Sequence, residues 1–189
     1  GKPAVLGQRV DPSLSVIRYR GKVLPKVGAV KTVVVAVHKP RGVITTMKDP
    51  QGRLTVANLI PKSFGRLFPV GRLDIMSEGL LLMTNDGDLA ERLTHPRYKT
   101  PKVYEVKIRG KLDQAKIKYL EKGVRIDGAA VQPVEVLQIR DVTGEGMTKA
   151  MVVLKVHEGQ NHHVRKLFDA VKCNVIRLKR LAMGTVQLA

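Results

Sequence analysis

Cysteine is almost absent from this chain: Cys173 stands alone in 189 residues. A disulfide framework and a cluster of thiolate metal ligands are thereby excluded, and a reducing, cytoplasm-like compartment is the natural setting. Aromatic residues make up only 4% of the sequence, too few for a broad platform on which successive bases could stack. No apolar run is long enough to cross a membrane, and the opening Gly1-Lys2-Pro3-Ala4-Val5-Leu6 is too short and too polar at its flanks for a signal peptide. The expectation is a cytoplasmic protein that stays off membranes. Internal repeats and low-complexity segments are missing too. Acidic residues are the other shortage: sixteen Asp and Glu face thirty-four Lys and Arg, a formal net charge of +18. Solubility needs far less, so an anionic partner is expected, with nucleic acid the leading candidate. Apolar residues nonetheless reach 43%, enough for one substantial core or two small ones and too many for a disordered basic tail.

The charge is uneven. Residues 1–53 carry +9, residues 54–154 carry +4 and residues 155–189 carry +5, so both ends are the expected phosphate-facing parts. Any single Lys or Arg, read alone, is an ordinary solvated surface residue; only the sum carries weight.

Hydrophobic periodicity gives short strands and a few helices. Thr32 to Val37 is a nearly continuous β-branched run, the form of a strand covered on both faces, and Lys39-Pro40-Arg41-Gly42 then turns the chain into Val43-Ile44-Thr45-Thr46 as a hairpin-like pair. Gly79 to Thr84 reads as a third strand ended by the turn Asn85-Asp86-Gly87, with Asp88 capping a short helix that stops before Pro96. Lys102 to Arg109 alternates with a period of two that puts Tyr104 on the apolar side. Leu112, Ala115, Tyr119 and Leu120 mark a weaker helix closed by Gly123, and residues 131–140 and 150–156 read as an antiparallel pair joined by the polar loop 141–149. Val164, Leu167, Phe168 and Val171 define an amphipathic helix, and residues 175–181 a closing basic strand. Many strands in hairpin order with few crossover helices predict an α+β fold on a mixed, mainly antiparallel sheet.

One constellation carries chemistry. Val70-Gly71-Arg72-Leu73-Asp74, continued by Ser77-Glu78-Gly79-Leu80-Leu81-Leu82-Met83-Thr84-Asn85-Asp86-Gly87, sets a single carboxylate in a glycine-bracketed loop before an apolar strand. A lone acid in so basic a protein suggests a nucleophile working on a polyanion. A bare Arg-Leu-Asp by itself would be a turn or cap aspartate.

Four segments together resemble a family. Lys39-Pro40-Arg41-Gly42-Val43, the Asp74 segment, Lys102-Val103-Tyr104 and Glu158-Gly159-Gln160-Asn161-His162-His163-Val164-Arg165-Lys166-Leu167-Phe168 look like the ordered motifs of the RsuA-type ribosomal RNA pseudouridine synthases, over residues 33–188. The resemblance implies a mixed sheet with a central RNA-binding cleft, and an enzyme that isomerises uridine to pseudouridine in ribosomal RNA or a pre-ribosomal particle without cofactor or metal. A monomer is expected. Residues 1–28, with Ile17-Arg18-Tyr19-Arg20-Gly21-Lys22-Val23-Leu24, look like the closing strands of the alpha-L RNA-binding module that usually precedes this catalytic domain, here residues 29–189. The expectation is a chain that begins within that module and stops short of the family's usual C-terminal end, with weaker RNA binding through fewer phosphate contacts.

The resemblance also implies roles. Asp74 is the nucleophile or base, and three routes stay open: attack on uracil C6, attack on ribose C1′, or removal of a ribose proton. Arg165 pairs with it, and a permanently charged guanidinium would hold the carboxylate ionised in a partly dry pocket. Tyr104 stacks on the flipped uracil, where its hydroxyl could help remove the C5 proton; without the resemblance it is an inward core tyrosine. Arg72 either takes the space of the flipped base or meets a phosphate. Lys39, Arg41 and Lys166 are expected RNA contacts. His162 and His163, adjacent in sequence, point about 100° apart on a helix and do not make the i, i+4 pair of a helical zinc site; they also depart from the Arg or Gln the family often has near here. Cys173 reads as a buried small residue and Asn85 to Asp88 as a turn, not a calcium loop. Two other functions remain open: a catalytically silent RNA-binding or ribosome-assembly module of the same fold, and a basic structural protein of the ribosome or nucleoid.

Overall fold

The computed structural model describes residues 3–5, 7–8, 10–11, 14–24, 31–126, 128–142, 148–159 and 162–188. Gly1, Lys2, Leu6, Arg9 and Pro12 of the N-terminal match, Gln160 and Asn161 of the last motif, and residues 143–147 of the expected loop lie outside them. The chain divides into two units, Gly1–Thr32 and Val33–Ala189. In the first, β1 (Arg18–Tyr19) and β2 (Lys22–Val23) form a small antiparallel hairpin. Arg20 and Gly21 turn it with φ of 50° and 77°, and the Arg20 guanidinium lies 5.4 Å from the centre of the Tyr19 ring.

The second unit is built on one sheet. Its strands are β3 (Val34–Lys39), β4 (Phe68–Pro69), β5 (Ser77–Thr84), β6 (Lys102–Arg109), β9 (Glu135–Asp141), β10 (Lys149–Val156), β11 (Asn174–Met183) and β12 (Val186–Gln187). The spatial order is β3-β5-β11-β6-β10-β9, with β4 on β5 and β12 on β11. Every pairing is antiparallel except β5 with β11, the mixed, mainly antiparallel α+β architecture the sequence predicts. A separate hairpin joins β7 (Arg125–Ile126) and β8 (Ala129–Ala130). The helices are α1 (Gly87–Thr94), α2 (Gln114–Lys122) and α3 (His163–Ala170); among the described residues no helix is long and apolar enough to cross a membrane.

β5 organises the core. All eight of its residues are buried, which is why Leu80 to Met83 run apolar without alternation. Leu81 and Met83 face the larger cluster, shared with Val106 and Ile108 of β6 and with Val164, Leu167 and Phe168 of α3. Leu80 and Leu82 face the other way, into a smaller cluster with Val70, Met183 and the α1 residues Ala90 and Leu93. A strand's alternation thus divides the helices between two sheet faces.

The structure corrects three local expectations. β3 is not covered on both faces: its burial alternates, because Val35 and Val37 pack against the larger core cluster while Val34, Ala36 and His38 stand on the exposed face. Val43 to Thr46 is not its hairpin partner. Val43 and Thr45 turn inward and are buried, and Ile44 makes a single parallel bridge to Thr55. Asp86, not Asp88, caps α1, accepting from the Leu89 amide at 3.0 Å, since the helix starts at Gly87 and its cap must precede it.

One glycine is demanded by packing. Gly79 has φ of +103°, and a Cβ there would sit 2.3 Å from the Arg180 carbonyl oxygen across the parallel pair. Neither atom belongs to a flexible side-chain end, so Gly79→Ala is expected to destabilise the fold by about 3 kcal/mol or more. Gly87→Ala, where nothing lies within 4 Å, is expected to change stability by less than about 1 kcal/mol. Urea denaturation of the two variants measures the difference.

Candidate active site

The Asp74 loop is fixed by its backbone. Val70 donates to Leu82 O of β5 at 2.8 Å, and Gly71, with φ of 72°, makes the turn. The Thr45 hydroxyl donates to Leu73 O at 2.6 Å and accepts from Leu73 N at 3.2 Å. On the other side of Asp74, the Gly42 amide donates to Ile75 O at 2.7 Å and the Ser77 amide to Asp74 O at 2.9 Å. The first and second sequence motifs therefore meet here, with residues 42–45 buttressing the carboxylate's loop. The Asp74 side chain retains 30% exposure.

Lys39 has a different role from the phosphate contact expected of it. Its side chain is fully buried, and Nζ donates to Pro40 O at 3.0 Å and Val43 O at 2.8 Å. It ties the buttress together from inside, where no phosphate reaches. Burial pushes its pKa down from 10.5 to about 8, against the opposing pull of the Asp74 and Glu78 carboxylates. Because the folded value is the lower one, the unfolded chain binds a proton the folded chain lacks between those pH values, and stability contributed by this group rises with pH across that window. Wild-type protein is thus expected to gain urea resistance between pH 8 and pH 10.5 relative to Lys39→Met, whose own pH dependence lacks this increment. Parallel pH series of urea midpoints check it.

Tyr104 stands on β6 with 7% exposure, and it lines one pocket with Asp74, Ser77, Lys102, Arg180 and His162. The period-two alternation in the sequence is the reason it points inward. Lys102, two residues earlier, shares that face. Its Nζ donates to Thr100 O at 3.1 Å, and burial, reinforced by the Arg180 charge, holds its pKa below the usual lysine range. His163, buried at the start of α3, is also depressed, by burial first; Glu158 opposes this and Lys102 adds to it.

Arg165 lies against a second pocket, which it shares with Asp74, Arg72 and His162. Among the described residues the expected Arg165–Asp74 ion pair is not formed. The guanidinium makes long contacts with Val175 O at 3.4 Å and Met76 O at 3.5 Å instead. The Asp74 carboxylate faces His162, Nε2 to Oδ1 at 3.9 Å, beyond hydrogen-bond reach. His162 precedes α3 in the left-handed region, φ 55° and ψ 22°, a conformation costly for a side chain with a Cβ and common at functional sites. The two histidines do point apart, but not as neighbours on one helix: His162 is exposed and precedes α3, whereas His163 is buried on its first turn. Arg72 and Arg41 are exposed, whereas Lys166 is half-buried on α3.

Sequence reading passed over Lys102, Ser77 and Arg180. A signal for two of them was present: Lys102 is in phase with Tyr104, and Arg180 is in phase with the buried Leu178, so each is a cation at an inward strand position.

Residues 33–170 match the family described as RNA pseudouridylate synthase. A protein of Aquifex aeolicus (strain VF5) named an uncharacterized RNA pseudouridine synthase is 38% identical over 185 residues, covering 97% of this chain and 71% of that one. The ribosomal large subunit pseudouridine synthase B of Vibrio vulnificus (strain CMCP6) is 37% identical over 191 residues, covering 100% of this chain and 58% of that one. A solved crystal structure of a pseudouridylate synthase has the same fold, with a TM-score of 0.73 at 23% identity over 96% of this chain and 74% of that one.

Proposed function

The chain belongs to the RNA pseudouridylate synthase family, and from that premise we propose that it isomerises a uridine of ribosomal RNA to pseudouridine. The observation that carries this reading is that Asp74, held on a buttressed loop, and Tyr104 line one pocket in a protein of net charge +18. The charge supplies affinity for the RNA backbone, and the pocket receives a base turned out of its stack. Asp74 acts as nucleophile or base on the extruded nucleotide. The Tyr104 ring supports the uracil, and its hydroxyl assists removal of the C5 proton. Arg165, beside Asp74 in the adjoining pocket, closes onto the carboxylate when RNA is bound. Arg72 and Arg41, both exposed, meet the RNA backbone or the space left by the base, and Lys166 adds charge from α3.

Ribosomal RNA as substrate is supported by the large-subunit pseudouridine synthase to which the chain is 37% identical. A cytoplasmic location follows from that substrate. The test is pseudouridine mapping of ribosomal RNA from cells with and without the protein. Loss of one or a few sites supports the reading and identifies the target; an unchanged map in both subunit RNAs refutes it.

A further inference from the structure

Two buried side-chain atoms among the described residues lack a hydrogen-bond partner: the Ser77 hydroxyl oxygen and Nη2 of Arg180. Both residues line the pocket that contains Asp74 and Tyr104. Native structures leave few buried polar atoms unmade, because the loss of solvation is uncompensated, and the penalty is larger for a charged group. Two such atoms at one pocket call for a ligand that satisfies them.

The sheet register explains how they converge. Leu178 lies opposite Ser77 and Arg180 opposite Gly79 in the parallel pair β5–β11, and Arg180 lies opposite Tyr104 in the antiparallel pair β11–β6. Paired residues share a face, as do residues two apart on a strand. Ser77, Arg180, Tyr104 and Lys102 therefore stand on one face of three neighbouring strands. Nε of Arg180 donates to Leu80 O at 2.7 Å, which fixes the guanidinium plane and leaves Nη2 available. Neither Arg180 nor Lys102 is paired with a carboxylate among the described residues, so the pocket floor carries two buried basic side chains without a directly bonded counter-ion, while the Asp74 and Glu158 carboxylates line the same pocket.

We propose that Arg180, through Nη2, donates to an exocyclic carbonyl oxygen of the flipped uracil, with the Ser77 hydroxyl completing the contact along the same edge of the base. The proposal rests on the isomerase reading and adds the groups that recognise the base and hold its charge. When the C1′–N1 bond breaks, its electron pair leaves with the base and is delocalised from N1 onto O2 and O4. Rebonding through C5 consumes that pair; C5 loses a proton and N1 gains one, so the reaction balances with no further reactant. Attack by Asp74 at C6 likewise places negative charge on a carbonyl oxygen. A fixed cationic donor there is complementary to the charged state more than to neutral uridine, which is the condition for rate enhancement. Lys102 strengthens the same field. Arg180, at 2% exposure, is too deep for a phosphate, which stays bonded to the RNA chain on both sides of the flipped nucleotide.

The test is a cycle between protein and base, using a ribosomal RNA fragment that wild-type protein isomerises, with uridine, 2-thiouridine or 4-thiouridine at the target position. Arg180→Met is expected to lower kcat/KM on the uridine fragment by about 10- to 100-fold. Sulfur at the contacted position should weaken turnover by wild-type protein and make little further difference to the variant, whereas sulfur at the other position should affect both equally. The position that couples tells O2 from O4; coupling at O4 would also reject cytidine, which has an amino donor there. Arg180→Lys and Ser77→Ala carry the same cycle should Arg180→Met fail to fold. Losses that multiply independently at both positions in every folded variant overturn the proposal. A wild-type protein that converts no ribosomal RNA fragment overturns the isomerase reading itself.

Discussion

Asp74→Asn is expected to remove uridine isomerisation, by about ten-thousand-fold or more, while RNA binding persists. The amide has the carboxylate's shape, and the loop is held by the backbone bonds of Val70, Leu73, Ile75 and Ser77, none of which involves the Asp74 side chain. The fold should therefore survive. Removing a negative charge from a basic protein should leave affinity for RNA equal or slightly higher. That combination separates an enzyme from a binding module: a binder has no use for an acid in its cleft, whereas neither attack on the nucleotide nor proton removal can be done by an amide. Gel-shift affinity and product formation on the same RNA are the two readouts. Pseudouridine made by the variant at a rate near that of wild type would refute the role given to Asp74.

Tyr104→Phe is expected to lower turnover by about 100- to 10,000-fold with little change in KM. The substitution keeps the ring, which is 7% exposed and packed in the larger core cluster, so support for the base and most of the stability persist. Only the hydroxyl is lost. Should that hydroxyl assist C5 deprotonation, the final step becomes limiting, and deuterium at C5 slows the variant more than wild-type protein. Near-normal turnover without that isotope effect would leave the tyrosine as a stacking surface alone. Tyr104→Ala is less informative, since it also opens a cavity costing about 3 kcal/mol or more.

The strands bearing the site were readable because their burial is written in their periodicity. β6 alternates, β5 holds an unbroken apolar run from Leu80 to Met83, and α3 has its apolar residues at helical spacing; each predicts which side chains are buried. The inward position of Tyr104 was legible for this reason, whereas Asp74 lies on a loop outside any strand and was singled out only by the motif around it. Lys39 was misjudged because a lysine next to Pro40 and Gly42 looks like an exposed turn residue, and only the fold shows the chain closing over it. Its hydrogen bonds go to carbonyls one and four residues away, a local arrangement without a sequence period. Residues 43–46 failed as a strand for a related reason: their partners are the distant Leu54, Thr55 and Leu73. The convergence of Ser77 with Arg180 depends on the parallel register of β5 and β11, which joins segments about a hundred residues apart and leaves no trace in either one.

Tritium release from ribosomal RNA labelled at uracil C5 tests the proposed isomerisation most directly, because moving the glycosidic bond to C5 must expel the hydrogen there. Purified wild-type protein is expected to release tritium in a fixed ratio to RNA and to leave pseudouridine in its place, with no release by Asp74→Asn. Tight RNA binding with release no greater than in protein-free RNA, from both subunit RNAs, would contradict it.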